Sequence, residues 1–357
     1  MKKMVTVLNL NINLMSTTPW RIFRRSVGGI MKPNLVWLPL SLTVFGPLGA
    51  LGAGECGTAT SVYVIDATRT LYQFDSHGAL LNKVSLPSIA ASSIGNLDGG
   101  GITVDDHNIY VTLGEPANSV VAYDKHTLAP VTLAAGAFGG LFVPREIVYD
   151  AHNQQFYVAN GGSTVTAYDA SGAPVSTSFT QGPTSGIYGP SGIAFDPTFD
   201  ALWVANYTGG TGSLSPTFGV DEFTEGGVLE SAFNYATQFT PPDANNAVHE
   251  MPYAIAYHSA NGQSPATVTV GFISDGTGLG KGELGTYLIS GSLIAQFGGG
   301  VTNPNAISSE SNGDTYVADN SGLLIYNAAG AQIGPSSHAF TGLTAPIYGV
   351  FVSESER

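Results

Sequence analysis

Arg145 and Glu146 sit side by side in VPREIVYD, where an otherwise apolar alternating run is interrupted by two opposite charges. A carboxylate in such a run is costly to bury unless it is paired, hydrogen-bonded or bound to a metal, which makes Glu146 a candidate acid, base or ligand. His249 and Glu250 form a second pair just ahead of MPYAIAYH, and an imidazole next to a carboxylate can serve as a general base or hold a cation. Asn305, Tyr253 and Tyr348 precede runs of the same kind. On chemistry alone, Glu146 and His249 are the catalytic candidates, and Glu146, Glu250 and Asn305 are the oxygen donors for Ca2+ or Mg2+. Arg145, Tyr253, Asn305 and Tyr348 are the candidate ligand contacts. Each has a plainer structural reading: an ion pair that fixes a strand, or a solvated loop residue.

These residues share a register because the chain repeats. Segments such as YVANGGSTVTAYDASG read as strand, glycine turn, strand, turn, and near-copies recur with opening aromatics at Tyr63, Tyr110, Tyr157, Trp203, Phe272 and Tyr316. Closing aromatics follow at Phe74, Tyr123, Tyr168, Phe223, Tyr287 and Tyr326. Ahead of most copies lies a short inner strand entered from a Pro or Gly turn, with anchor residues Gly101, Glu146, Gly192, Ala254, Ala306 and Gly349, spaced 45, 46, 62, 52 and 43 apart. Periods of about 40 to 50 residues built from short strands mark propeller blades. The first copy lacks an inner strand and the last inner strand, APIYGVFVS, lacks a hairpin. The expectation is therefore an all-β, six-bladed β-propeller over residues 57–354, closed by pairing the C-terminal inner strand with the first blade.

In that architecture the inner strands start around the mouth of a central channel. Arg145, Ser191, Tyr253, Asn305 and Tyr348 fall in one ring there, and small anchors suit strands that converge on a narrow axis. Glu146 is the exception among them. A second ring, Asp66, Asn160, Asn206, Asp275 and Asp319, interrupted by Leu113, is expected to hydrogen-bond turn backbone.

The row GIAFDPTFDALWVANYTG resembles an NHL-type repeat, and YVANGGSTVTAYD also resembles the related YVTN repeat. The resemblance covers roughly residues 60 to 352 and implies the propeller fold. Propellers of this kind host lyases, lactonases, sensors and scaffolds, so it does not set a function. Six-bladed metal-dependent lactonases carry Asp or Asn after the turn proline in several blades. This chain matches that pattern at Asn305 and has Arg145, Ser191 and Tyr253 elsewhere. For lyases of the streptogramin type, His249 is the counterpart of the histidine.

Composition narrows the classes. Six of the twelve Lys and Arg residues lie before residue 33, and no acidic residue precedes Glu55. A basic stretch, the apolar run from Leu35 to Gly54 and small residues at its end read as an export signal over residues 1–54, with Met31 as readable a start as Met1. This predicts a periplasmic or extracellular protein that touches membrane only if that segment is retained. The remainder carries six basic against 26 acidic residues, a balance that repels nucleic acid and anionic membranes. Cys56, the single cysteine, excludes an internal disulfide. DGTGLGKGELG resembles a phosphate loop, but it has Asp275 in the first Gly position and no Ser or Thr after its Lys.

Two functions remain. The first is an exported, non-catalytic binding or scaffold propeller for a peptide, protein or glycan, which requires no cofactor. The second is a metal-dependent lyase or lactonase-like hydrolase, with Ca2+ or Mg2+ at the mouth. The blade-four insertions NYTGGTGSLSPTFG and FNYATQFTPPDANNAVHE would add a polar, aromatic rim to either.

Overall fold

The computed structural model describes residues 60–87, 99–162, 164–176, 179, 189–206, 219–224, 226–234, 250–259, 265–274, 282–333 and 340–353. Among them every regular element is a strand, and the strands form six sheets. Blade one holds β1 (Ser61–Asp66), β2 (Thr70–Asp75) and β3 (Leu80–Ser85). Blade two runs β4 (Ile102–Val104), β5 (Asn108–Leu113), β6 (Ser119–Asp124) and β7 (Pro130–Val131). Blade three is built from β8 (Pro144–Asp150), β9 (Gln155–Asn160), β10 (Val165–Asp169) and β11 (Pro174–Ser176). Blade four contains β12 (Pro190–Asp196), β13 (Ala201–Asn206), β14 (Gly219–Thr224) and β15 (Leu229–Asn234). In blade five come β16 (Glu250–His258), β17 (Thr267–Ser274), β18 (Glu283–Leu288) and β19 (Leu293–Phe297). Among the described residues blade six has β20 (Pro304–Ser309), β21 (Thr315–Asp319) and β22 (Gly322–Tyr326), with one bridge from Tyr326 to Gln332 at its outer edge.

The last strand, β23 (Ile347–Ser353), leaves blade six and pairs antiparallel with β1, Val62 opposite Val352 and Val64 opposite Val350. This supplies the inner strand that blade one lacks. The inner strands β4, β8, β12, β16, β20 and β23 then contact one another in turn, and β23 returns to β4, so the ring is closed. The six-bladed propeller expected from the repeat is the observed fold.

Period-two sequences bury both faces because each sheet packs between two others. All twelve repeat aromatics are buried, from Trp203 at 0% exposure to Tyr110 at 4%. They seed one apolar cluster at each interblade seam: Tyr63 and Tyr123 between blades one and two, Tyr110 and Tyr168 between two and three, and so on around to Phe74 and Tyr316. Each such ring stabilises the fold by about 2 to 3 kcal/mol relative to exposure. The outer hairpins use one turn repeatedly. Asp75, Asp169 and Asn327 each accept backbone N–H bonds from residues two and four positions on, and Gly78, Gly172 and Gly330 supply the left-handed φ that the turn needs.

Crowding at the axis explains the small anchors. A Cβ on Gly101 would lie 2.6 Å from the Glu146 Cα, and one on Gly192 would lie 2.7 Å from the Tyr253 carbonyl oxygen. At Gly349 it would collide with the Gly100 carbonyl oxygen. Gly349→Val therefore overpacks the closing seam and is expected to cost about 2 kcal/mol. Calorimetry should show a lowered Tm, whereas the same change at solvent-facing Gly299, where a Cβ meets nothing within 4 Å, should leave it nearly unchanged.

Candidate functional site

At the start of the inner strands Arg145, Glu146, Ser191, Tyr253, Asn305 and Tyr348, together with Gly99 and Gly101, line one cavity of about 20 Å3. Five blades and the closing strand contribute to it, so residues separated by two hundred positions in the chain meet at the axis. The Arg145 guanidinium carbon lies 5.7 Å from the centroid of the Tyr253 ring, within cation–π range. Asn305 donates its side-chain amide to the Ile347 carbonyl at 2.7 Å and to Asn320 Oδ1 at 3.1 Å. It thereby clasps the closing strand to blade six. The Ser191 hydroxyl is buried and donates to the Ala205 carbonyl within its own blade.

Glu146 closes the floor of this cavity. Its carboxyl is enclosed by protein, although part of the residue's surface faces the two spaces it separates. Below lies a channel of about 380 Å3, walled at its upper end by Ile102, Ile147, Ile193, Ile255, Ile307 and Val350, one from each inner strand. Burial against this apolar ring pushes the Glu146 pKa up to about 8, and N–H groups of Ile147 and Ile102 only partly oppose it. At neutral pH the carboxyl is mainly a neutral acid. The other polar side chains of the lining are the Arg145 guanidinium, the Ser191 hydroxyl, the Tyr253 and Tyr348 phenols and the Asn305 amide, which is already bonded to backbone. No group of three or more His, Cys, Asp or Glu that could hold a metal occurs among the described residues.

The loops that deliver the mouth residues are pinned from the next strand over. Asn160 Oδ1 accepts the Phe142 N–H, three residues before Arg145. Asp319 accepts N–H bonds from Thr302 and Asn303, just before Asn305, and Asp66 accepts the Thr344 N–H ahead of Tyr348. Asp66 and Asp319 also cap their own turns through Thr68 and Ser321. Leu113 has no polar atom for this task. In its blade Thr112 Oγ1 accepts from Gly100 and Gly101 instead, and donates to the Arg145 carbonyl at 2.6 Å. Asn206 differs, donating to Asp221 Oδ2 at 3.2 Å, where burial raises the Asp221 pKa to about 7.

Sequence reasoning did not single out Phe142. It is 57% exposed on the mouth loop, and the following residue, Val143, adopts φ 48°, a conformation rare for a β-branched side chain. Bonds from the Val143 N–H to Asn118 Oδ1 and from the Gly161 N–H to the Val143 carbonyl hold it there. The strained turn sends Phe142 outward while Arg145 turns to the axis. The detectable signal was an apolar triplet, Leu141 to Val143, inside a turn. His249, Asp275 and most of both blade-four insertions lie outside the described residues, and Glu250 is placed only as the backbone that opens β16, opposite Ser274.

No family model matches the sequence, and no curated protein matches it. Among solved structures, a gluconolactonase from Xanthomonas campestris superposes with a TM-score of 0.51 at 11% identity, covering 87% of this chain and 96% of that one. The Dos1 propeller gives a TM-score of 0.42 at 12% identity over 66% of this chain and 60% of its own. At such identities the likeness is one of fold, and the class it defines is the β-propeller.

A raised acid pKa has a stability consequence with a definite sign. Folded Glu146 keeps its proton up to about pH 8, while the unfolded residue loses it near pH 4.5. Its stabilising contribution is complete below pH 4.5 and is lost as pH rises to 8. Asp221 acts in the same direction up to about pH 7. Urea unfolding at pH 5 and pH 8 should show the wild type weakening more than Glu146→Gln, which cannot ionise. Equal pH slopes would refute the assignment.

Proposed function

We propose that this chain is an exported NHL-type propeller that binds a peptide, protein or glycan through the face around its channel mouth and does not catalyse a reaction there. The observation that carries the reading is the shape of the mouth. Six converging strands narrow it to about 20 Å3, far below the roughly 300 Å3 at which small-molecule pockets begin. What the described residues present is a shallow polar face with flat groups. The Arg145 guanidinium lies over Tyr253, Tyr348 lines the same ring, and Phe142 is an exposed anchor at the rim. Aromatic and Arg side chains of this kind carry most of the energy in binding surfaces. In this reading the Glu146 carboxyl and the clasping Asn305 amide support the ring. Residues 1–54, with their basic and apolar halves, would direct the protein to the periplasm or the extracellular space.

A random-peptide library and a glycan array screened with the mature protein test this reading. Binders enriched on wild type should lose about tenfold or more in affinity with Phe142→Ala and Arg145→Ala, equivalent to the loss of a single strong contact. Binders indifferent to both changes would overturn the location. Turnover of a lactone panel in Ca2+ or Mg2+ that Glu146→Gln abolishes would overturn the function.

A further inference from the structure

A larger space opens on the opposite side of the ring, between blades five and six. It measures about 560 Å3, and Ser259, Pro265 and Ile294 are among its lining residues. The cause is one position in the repeat. Three residues after the anchor, each of the other inner strands places an apolar or aromatic side chain against a seam: Val104, Tyr149, Phe195, Tyr257 and Val352 all pack on the interblade clusters. Blade six has Ser309 there. Without a ring or branched chain to fill the seam, the gap remains, and Ser309 lines it.

The next position departs as well. Where blades two, three, four and six have Asp105, Asp150, Asp196 and Glu310, and the first three cap their own turns, blade five has His258 and the closing strand has Ser353. Its Nε2 lies 2.9 Å from Ser309 Oγ and 3.0 Å from Thr269 Oγ1, and Thr269 Oγ1 lies 3.0 Å from Thr286 Oγ1. One ring nitrogen supplies one proton or one lone pair, yet two hydroxyls converge on it. Thr269 is fully buried and has Thr286 as its other partner, whereas Ser309 is half-buried and lines the cavity. Burial holds the His258 pKa down at about 4, which keeps the imidazole neutral. Asn312 and Thr315 extend the polar wall, and Phe297, held edge-on to Tyr326 at 5.2 Å, provides a flat apolar face.

We infer that this seam is a second ligand site, built for a neutral polyol or a sugar of one or two rings. Hydroxyl and amide groups outnumber charges in the lining, which among the described residues holds Glu310 as its one acid, the neutral His258, and no Lys or Arg. A phosphate or carboxylate would meet that acid and the strongly negative protein around it. A sugar offers alternating donors and acceptors to the hydroxyl chain and an apolar face to Phe297. The volume falls in the range of small-molecule sites. The site is independent of the mouth surface, being on a different seam and made from different residues.

Saturation-transfer NMR and titration calorimetry with glucose, galactose, mannitol and maltose as probes decide the matter. At least one probe should receive saturation from wild type and from Arg145→Ala alike. Ser309→Val should weaken it by about tenfold. Ala295→Trp, which fills the cavity from the half-exposed outer strand, should abolish it while leaving Tm close to wild type. Absence of binding to all four probes, or binding that survives both seam variants, would overturn the inference. Binding lost in Arg145→Ala and kept in Ser309→Val would place the ligand at the mouth instead.

Discussion

The structure depends on how little room is left where six inner strands meet. Backbone of one blade approaches backbone of the next so closely that a methyl group at Gly101, Gly192 or Gly349 has no place to go. Glycine and alanine at the anchors are therefore a steric requirement of closure, and their cost in chain entropy is offset by the twelve aromatics sealed in the seams. The same crowding decides the character of the axis. Side chains one position earlier than the anchors have only a shallow ring to occupy, and Glu146, the single large anchor, becomes the plug between mouth and channel.

Polar groups at the mouth serve geometry before chemistry. Asn160, Asp319 and Asp66 each hold the loop entering an inner strand, Thr112 substitutes where Leu113 cannot, and Asn305 fastens the closing strand. Entry loops held in this way present Arg145, Asn305 and Tyr348 as a fixed pattern. A preformed surface loses little entropy on binding.

Much of this was legible in the residues because a repeat reports its own geometry. Alternation, turn residues and the aromatic pairs located the blades, and the missing first inner strand with the surplus last one located the closure. The convergence of Arg145, Glu146, Ser191, Tyr253, Asn305 and Tyr348 followed from register alone. Cavity size did not, since it depends on how far side chains fill the axis. Nor did the role of Phe142, which rests on a strained φ at Val143 that propensities disfavour. The His258–Ser309 contact was visible only as two exceptions in aligned rows: AIAYH against GIAFD, and AISSE against EIVYD. Each exception looked minor until the fold set them 2.9 Å apart.

The latch between β1 and β23 carries a kinetic implication. Every other strand pair in the ring joins neighbours along the chain, whereas Val62 and Val352 must find each other across almost the whole domain. Chain-closure entropy places such a contact late. Blades should assemble as local hairpins into an unfinished arc, and only the final docking of β23 turns that arc into one cooperative unit. Until then the free edge of β1 is open to strands from other molecules, so crowded refolding is where this protein is most exposed to aggregation.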